Sequence, residues 1–243
     1  MPKIAERTHV LTTIGILRCG FADKFGIPRQ PGLVDMPASI QLLPPYNQAE
    51  AFDGIDSFSH LWIEFLFHEN LSRPWTPKVR PPCMGGNEKR GVFATRSPYR
   101  PNYLGLSCVK LTGLRRSEAQ LWLDIEGADM VDGTPIVDIK PYLPYADAVP
   151  QARDDFTGGG PEHRLNVSFT AEAAQGIRQL EARQPRLMHL ITQTLAMDPR
   201  PAYQQDPERI YGIRLFDLDI KWLVQGDQAL VVDIIEGGPN EKL

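Results

Sequence analysis

Between Arg73 and Arg100, seven basic residues (Arg73, Lys78, Arg80, Lys89, Arg90, Arg96 and Arg100) stand against one acid, Glu88. They lie among turn formers, with Pro74, Pro77, Pro81, Pro82, Gly85, Gly86 and Asn87 before Pro98 and Pro101. The stretch therefore reads as long loops around one short strand, Gly91 to Thr95. Loops of this length without structure of their own are uncommon in compact domains and tend to carry function. Just upstream, alternation over Ser59 to Glu69 sets Leu61, Ile63, Phe65 and Phe67 on one face and His60, Trp62, Glu64 and His68 on the other. The first face is core. The second offers imidazole and carboxylate groups, the side chains that most often move protons near neutral pH.

Other chemistries lack their residues. There is no G-x-G-x-x-G, no G-x-x-x-x-G-K-[ST] and no G-x-S-x-G, so dinucleotide, P-loop and nucleophile-elbow sites are unsupported. The five histidines (His9, His60, His68, His163 and His189) form no metal spacing, and His68-Glu69 lacks the second histidine of a zincin, so no metal is expected. Cys19, Cys83 and Cys108 are far apart and odd in number, which suggests neither a disulfide framework nor a zinc site. Leu43-Pro44-Pro45-Tyr46 resembles the [DNS]-P-P-[YFW] element of amino-group methyltransferases, but leucine has no oxygen to accept an amine hydrogen. Two prolines after a strand read as a turn.

The elements that would position these residues are mostly strands. Val10 to Leu17, Ala38 to Leu43, Ser59 to Glu69, Leu104 to Leu114, Gln120 to Glu126 and Pro135 to Tyr142 are short runs rich in Ile, Val, Leu, Phe and Trp. Gly, Pro and Asp clusters separate them and no helical period intervenes, which favours a barrel or sandwich over a βαβ sheet. Composition changes after Ala146, and the run Gly158-Gly159-Gly160-Pro161 marks a linker. Boundaries of 1–146, 147–165 (linker) and 166–243 follow. In the last segment Thr170 can cap a helix with Ala173, Ala174, Ile177 and Leu180 on one side. Pro185 can open a second with Leu187, Leu190, Ile191 and Leu195. Ile210 to Leu223 and Ala229 to Ile235, joined by Gln225-Gly226-Asp227, read as a hairpin, so a small α+β unit follows a mainly β one.

With 243 residues, 42% of them apolar and 23% charged, the chain has ordinary globular composition. No run approaches the roughly 18 apolar residues of a membrane span, and the N-terminus lacks a secretion-signal pattern, so a cytoplasmic protein is expected. The formal charge of −4 argues against a general nucleic-acid coat and leaves room for a local basic patch.

Five segments together carry a resemblance. They are Lys24-Phe-Gly-Ile-Pro-Arg-Gln-Pro-Gly-Leu-Val34, Gly54-Ile-Asp-Ser-Phe-Ser-His-Leu-Trp62, Gly91-Val-Phe-Ala-Thr-Arg-Ser-Pro-Tyr-Arg-Pro-Asn102 with Gly105-Leu-Ser107, Asp132-Gly-Thr-Pro135 with Asp138-Ile-Lys-Pro-Tyr142, and Tyr211 to Trp222. In this order they resemble the TsaA/TrmO family of β-barrel tRNA methyltransferases. The resemblance implies a TsaA-like barrel followed by a small α+β domain, S-adenosylmethionine bound without a Rossmann fold, and a homodimer. It implies methylation of N6 of threonylcarbamoyladenosine at position 37, in the anticodon loop of tRNA. It places Pro28, Arg29, Gln30, His68, Glu69, Arg96, Leu106, Asp129, Met130, Val131 and Asp132 around the cofactor.

The chemistry can be stated beside the resemblance. A sulfonium needs a carboxylate or carbonyls, which Asp129 and Asp132 can supply, and the amino-acid tail needs a donor such as Arg29 or Arg96. Asp132-Gly133 reads equally well as a plain β-turn, and His68 as a structural histidine. The acceptor nitrogen must lose a proton, for which Asp138 and His68 are the candidates. Arg73, Lys78, Arg80, Lys89, Arg90 and Arg100 can meet phosphates, while Trp75, Tyr99 and Tyr103 can stack on bases, and the 166–243 unit is expected to be a tRNA-binding accessory through Arg209, Arg214 and Lys221, with Asp217 and Asp219 as competing partners. Two other readings stay open. One is a non-catalytic RNA-binding barrel, the other a methyltransferase for a different acceptor.

Overall fold

The computed structural model describes residues 9–81, 88–117, 120–154, 157, 165–200 and 206–237. Pro82 to Asn87 of the basic loop and the glycine run of the predicted linker lie outside the described residues.

In chain order the elements are β1 (Gly15–Cys19), β2 (Pro37–Leu42), β3 (His60–Leu66), β4 (Lys78–Val79), β5 (Arg90–Gly91), β6 (Leu104–Ser117), β7 (Gln120–Glu126) and β8 (Pro135–Pro141). A short helix α1 (Pro144–Asp147) follows, then β9 (Asn166–Phe169), α2 (Ala171–Leu180), α3 (Leu187–Ala196), β10 (Tyr211–Leu215), β11 (Leu218–Gln225) and β12 (Gln228–Glu236).

Six strands close a barrel in the order β1-β2-β7-β6-β3-β8, antiparallel throughout. The period-2 pattern explains it, since Leu61, Ile63 and Phe65 of β3, Ile40 and Leu42 of β2, and Leu121, Leu123 and Ile125 of β7 are all buried inside. A barrel of about eight strands is only just wide enough for its own side chains. Six strands leave less room, so any ligand must bind on the outer wall or the rim.

The second sheet runs β10-β11-β12-β9, with β9 parallel to β12. Thr170 caps α2, its hydroxyl oxygen accepting from the Ala173 amide at 3.2 Å. Ile177, Leu190, Ile191 and Leu195 of the helices bury against Trp222, Ile220 and Leu215. The same core takes in Phe21, Val34 and Met36 from the β1–β2 connection. Phe21 also forms a bridge to Leu215, and the Phe216 amide donates to the Gly20 carbonyl at 2.6 Å.

Several elements differ from the sequence reading. The expected strand Gly91 to Thr95 is two strand residues followed by a 3-10 turn, Val92–Ala94. The expected strand Ile210 to Leu223 breaks at Phe216, which takes φ +57. Its ring packs on Gly20, so a tertiary contact fixes a turn with no local signal. The strand from Ser59 ends at Leu66, and His68–Asn70 form a 3-10 turn. Arg186, at φ 65, stands between Pro185 and α3, so the proline does not open that helix. Among the described residues no helix is long and apolar enough to cross a membrane.

Candidate active site

The β1–β2 connection leaves the barrel at Gly20 and returns at Met36, carrying three of the expected cofactor residues. Pro28 is buried, Gln30 partly buried and Arg29 exposed. The Gln30 Oε1 accepts from Arg96 Nη1 at 2.5 Å. Arg96 is delivered by the turn after β5, where Val92 is buried and its amide donates to the Pro77 carbonyl at 3.0 Å. Arg96 in turn acts electrostatically on Asp129, in the β7–β8 connection, and the Ser107 hydroxyl of β6 donates to the Asp129 carboxylate. Desolvation pushes the Asp129 carboxyl above the ordinary aspartate range. The Ser107 hydroxyl, Asp129's own amide and Arg96 pull it back only in part.

The same connection is tied to the turn after β3. Lys24 Nζ lies 3.3 Å from Glu69 Oε2 and donates to Asn70 Oδ1 at 3.1 Å. Contacts thus join Glu69 to the Lys24–Gln30 loop, Gln30 to Arg96 and Asp129 to Ser107, and Arg96 acts on Asp129 through its charge. Leu106, beside the buried Ser107, is 51% exposed and forms part of the outer wall. This cluster combines two guanidinium groups, two carboxylates, an amide and apolar surface from Pro28 and Leu106.

The other expected residues are placed differently. Met130 and Val131 are buried, so only their backbones can serve a ligand, and both carbonyls are already engaged, by the Cys19 thiol and the Thr134 hydroxyl. Asp132 turns toward β1, accepting from the Cys19 amide at 3.0 Å with Arg18 at 3.8 Å. There it secures the seam where β1 and β8 pair through two residues each. Asp138 sits opposite Glu64 on the outer wall, and both carboxylates hold Lys140. His68 opens the turn that carries Glu69. Among the described residues no hydrogen bond or ion pair links Asp138 or His68 to the Gln30–Arg96–Asp129 chain. Burial pushes the Cys19 thiol up to about 12, which leaves it un-ionised and inert at neutral pH.

In the basic region β4 pairs with β5, bringing Lys78 opposite Gly91. Lys78, Arg80 and Lys89 are exposed and have no acidic partner among the described residues, whereas Arg90 lies 2.9 Å from Glu88. Arg73 donates to the Tyr99 hydroxyl, the Tyr103 hydroxyl donates to the Arg73 carbonyl, and Arg100 donates to the Thr95 carbonyl. Tyr99, Tyr103 and Arg100 therefore build the loop as well as lining it. Sequence reasoning missed Phe93, 73% exposed on its turn, because the expected strand gave it no reason to stand out. It also missed Ser107 and Lys24, whose roles depend on partners 22 and 45 residues away.

The tRNA-methyltransferase O N-terminal domain family matches residues 16–148, and the TrmO C-terminal domain family matches residues 162–237. The chain belongs to the TrmO family. A tRNA (adenine(37)-N6)-methyltransferase of Escherichia coli (strain K12) is 45% identical over 214 residues, 87% of this chain and 91% of that protein. A Pseudomonas aeruginosa relative named as a putative S-adenosylmethionine-dependent methyltransferase is 45% identical over 235 residues, 95% of this chain and 99% of its own. The crystal structure of a TrmO from P. aeruginosa superposes with TM-score 0.79 at 38% identity, covering 97% of this chain and 100% of that one.

Proposed function

We propose that this protein is an S-adenosylmethionine-dependent tRNA methyltransferase that modifies N6 of adenine 37 when that base carries a threonylcarbamoyl group. The observation that carries the reading is the Gln30–Arg96 hydrogen bond, with Asp129 in the field of Arg96, Glu69 tied to the same loop through Lys24 and Arg29 next to Gln30 in that loop, beside a cationic stretch with one acid. TrmO-family relatives named as tRNA (adenine(37)-N6)-methyltransferases and as S-adenosylmethionine-dependent enzymes support it.

The donor set fits the cofactor. Arg29 and Arg96 suit the tail carboxylate, the Gln30 amide suits an adenine edge, and Pro28 and Leu106 suit its flat apolar faces. Glu69 and Asp129 place negative charge where a cation would be held. Bound there, S-adenosylmethionine supplies a methyl group on a sulfonium, ready for in-line displacement by nitrogen.

The chain's own residues then have two tasks. One is alignment, because displacement at carbon gains most from holding donor and acceptor close and collinear. The loop bearing Arg29 and Gln30, fixed at Arg96 and Glu69, performs it. The other is removal of the N6 proton, for which Asp138 and His68 are the candidates. Lys78, Arg80, Lys89, Arg73, Arg90 and Arg100 meet phosphates, and exposed Phe93 and Trp75 stack on bases. A homodimer, a cytoplasmic location and the division 1–146, 147–165 and 166–243 complete the proposal.

The test is calorimetric titration of S-adenosylmethionine into the unaltered chain and into Arg96→Ala. Loss of the guanidinium should weaken binding about tenfold or more, the worth of one charge-assisted hydrogen bond. Equal affinity in the two proteins would remove Arg96 from the site. Binding by neither would favour the RNA-binding barrel that transfers nothing.

A further inference from the structure

The loop that carries Arg29 and Gln30 is held from two sides: the barrel holds it through Lys24 with Asn70, Gln30 with Arg96 and the Gly32 amide on the Gly127 carbonyl at 2.8 Å, and the C-terminal unit holds it through a separate set of contacts. Gly26 takes φ +95 and lies so close to Ile213 of β10 that a Cβ there would stand 2.1 Å from the isoleucine Cδ1. Ile27 packs on the same core. Gln193 of α3 clips Asp35 twice, its Oε1 accepting from the Asp35 amide at 2.9 Å and its Nε2 donating to Asp35 Oδ2 at 2.8 Å. At the start of the connection, the Phe216 amide holds the Gly20 carbonyl at 2.6 Å. Three contacts from the C-terminal unit thus pin residues 20, 26 and 35, and Pro28 to Gln30 span the interval between the last two.

Between the pins the loop is not packed solid. A cavity of about 110 Å³ separates it from α3, bounded by Pro28, Arg29, Thr194 and Met197 among others. A chain held at points beside a void shifts when a point is removed. The ion pairs of the C-terminal unit include one that reaches the loop at Asp35. Arg183 pairs with Asp217 and Glu236, Arg186 with Glu126 and Asp35, and Arg200 with Asp198. Those three arginines are paired, while Arg178, Arg209 and Lys221 of the same unit have no acidic partner among the described residues.

We infer that the C-terminal unit positions the cofactor loop, with Ile213 as a positioning residue: its δ-methyl fixes Gly26 and so sets Arg29 and Gln30 opposite Arg96. The inference rests on the cofactor reading above.

The experiment uses the full chain and S-adenosylmethionine as the probe. Ile213→Val removes only the contacting methyl, Ile213→Ala removes more, and Gln193→Ala releases the Asp35 clip. Circular dichroism confirms folding of each, and the valine and Gln193 variants carry the test if the alanine variant does not fold. The expected result is a rise in cofactor Kd and KM of about threefold for Ile213→Val and about tenfold for Ile213→Ala. The tRNA KM should stay within about twofold, while kcat falls alongside cofactor binding, because the same loop aligns donor with acceptor. Folded variants that bind the cofactor as tightly as the unaltered chain would overturn the inference. So would a rise confined to the tRNA KM, which would make the unit an RNA-binding accessory. Failure of the unaltered chain to bind would overturn the cofactor reading and this inference with it, whereas binding by the unaltered chain and variants alike overturns the inference alone.

Discussion

Replacing Asp129 by asparagine should change how stability responds to pH, with a sign fixed by the structure. The folded Asp129 carboxyl titrates above its ordinary value because desolvation outweighs the help of Ser107 and Arg96. The folded chain therefore keeps a proton that the unfolded chain has shed. Stability falls as pH rises from the unfolded value, about 3.9, through the raised folded value, and the loss is complete above it. One such group contributes a slope of at most about 1.4 kcal/mol per pH unit. Asparagine retains an oxygen for the Ser107 hydroxyl and does not titrate, so the stability of the variant relative to the unaltered chain should climb with pH across that window and then level off. Asp35 and Glu126, both held below the carboxylate range, drive stability the other way in both proteins and cancel in the difference. Each kilocalorie per mole should appear as about 2–4 °C in Tm for a chain of this size. Paired thermal melts between pH 3.5 and 7.5 read it. A difference curve that is flat, or that falls with pH, would refute the assignment of Asp129 as a desolvated carboxylate.

Removing Lys78 or Arg80 should lower tRNA affinity and flatten its dependence on salt by about 0.7–0.9 in the log–log slope per cation, as measured by filter binding across ionic strengths. Arg186→Ala breaks half-exposed pairs to Glu126 and Asp35. It should cost no more than about 1 kcal/mol at pH 7. That cost should vanish in acid, because both carboxylates contribute only above their lowered folded values. Asp138→Asn should slow methyl transfer by about a hundredfold or more if the carboxylate takes the N6 proton. A full rate in single-turnover assays would leave its only task the hold on Lys140.

Much of the fold could be read from the sequence because period-2 alternation survives in β3 and β7, where Leu61, Ile63, Leu121 and Leu123 keep strict register. The closure of six strands into a barrel could be narrowed only to barrel or sandwich, since alternation reports faces and not partners. Phe216 and Arg186 show where reading fails. Each takes a left-handed backbone without glycine, held by contacts from distant elements: Phe216 through Gly20, and Arg186 through Glu126 and Asp35. The site divides in the same way. The resemblance named Gln30, Arg96 and Asp129, but nothing local to any of them shows that the three are joined, or that Ser107 completes the chain. Asp132 illustrates the converse, because an aspartate before glycine reads alike as a ligand residue and as the residue that holds the Cys19 amide. Phe93 went unnoticed because a 3-10 turn, and not a strand, presents it.

The proposed reaction is transfer of a methyl group to N6 of a threonylcarbamoylated adenine. Labelled S-adenosylmethionine should be offered with two tRNA pools, one carrying the threonylcarbamoyl group at position 37 and one lacking only that modification, with nucleosides resolved by mass spectrometry. Label should appear on N6 in the first pool alone. Equal label in both pools would contradict the assigned acceptor, and label in neither, from an enzyme shown to bind the cofactor, would contradict the claim of a tRNA substrate.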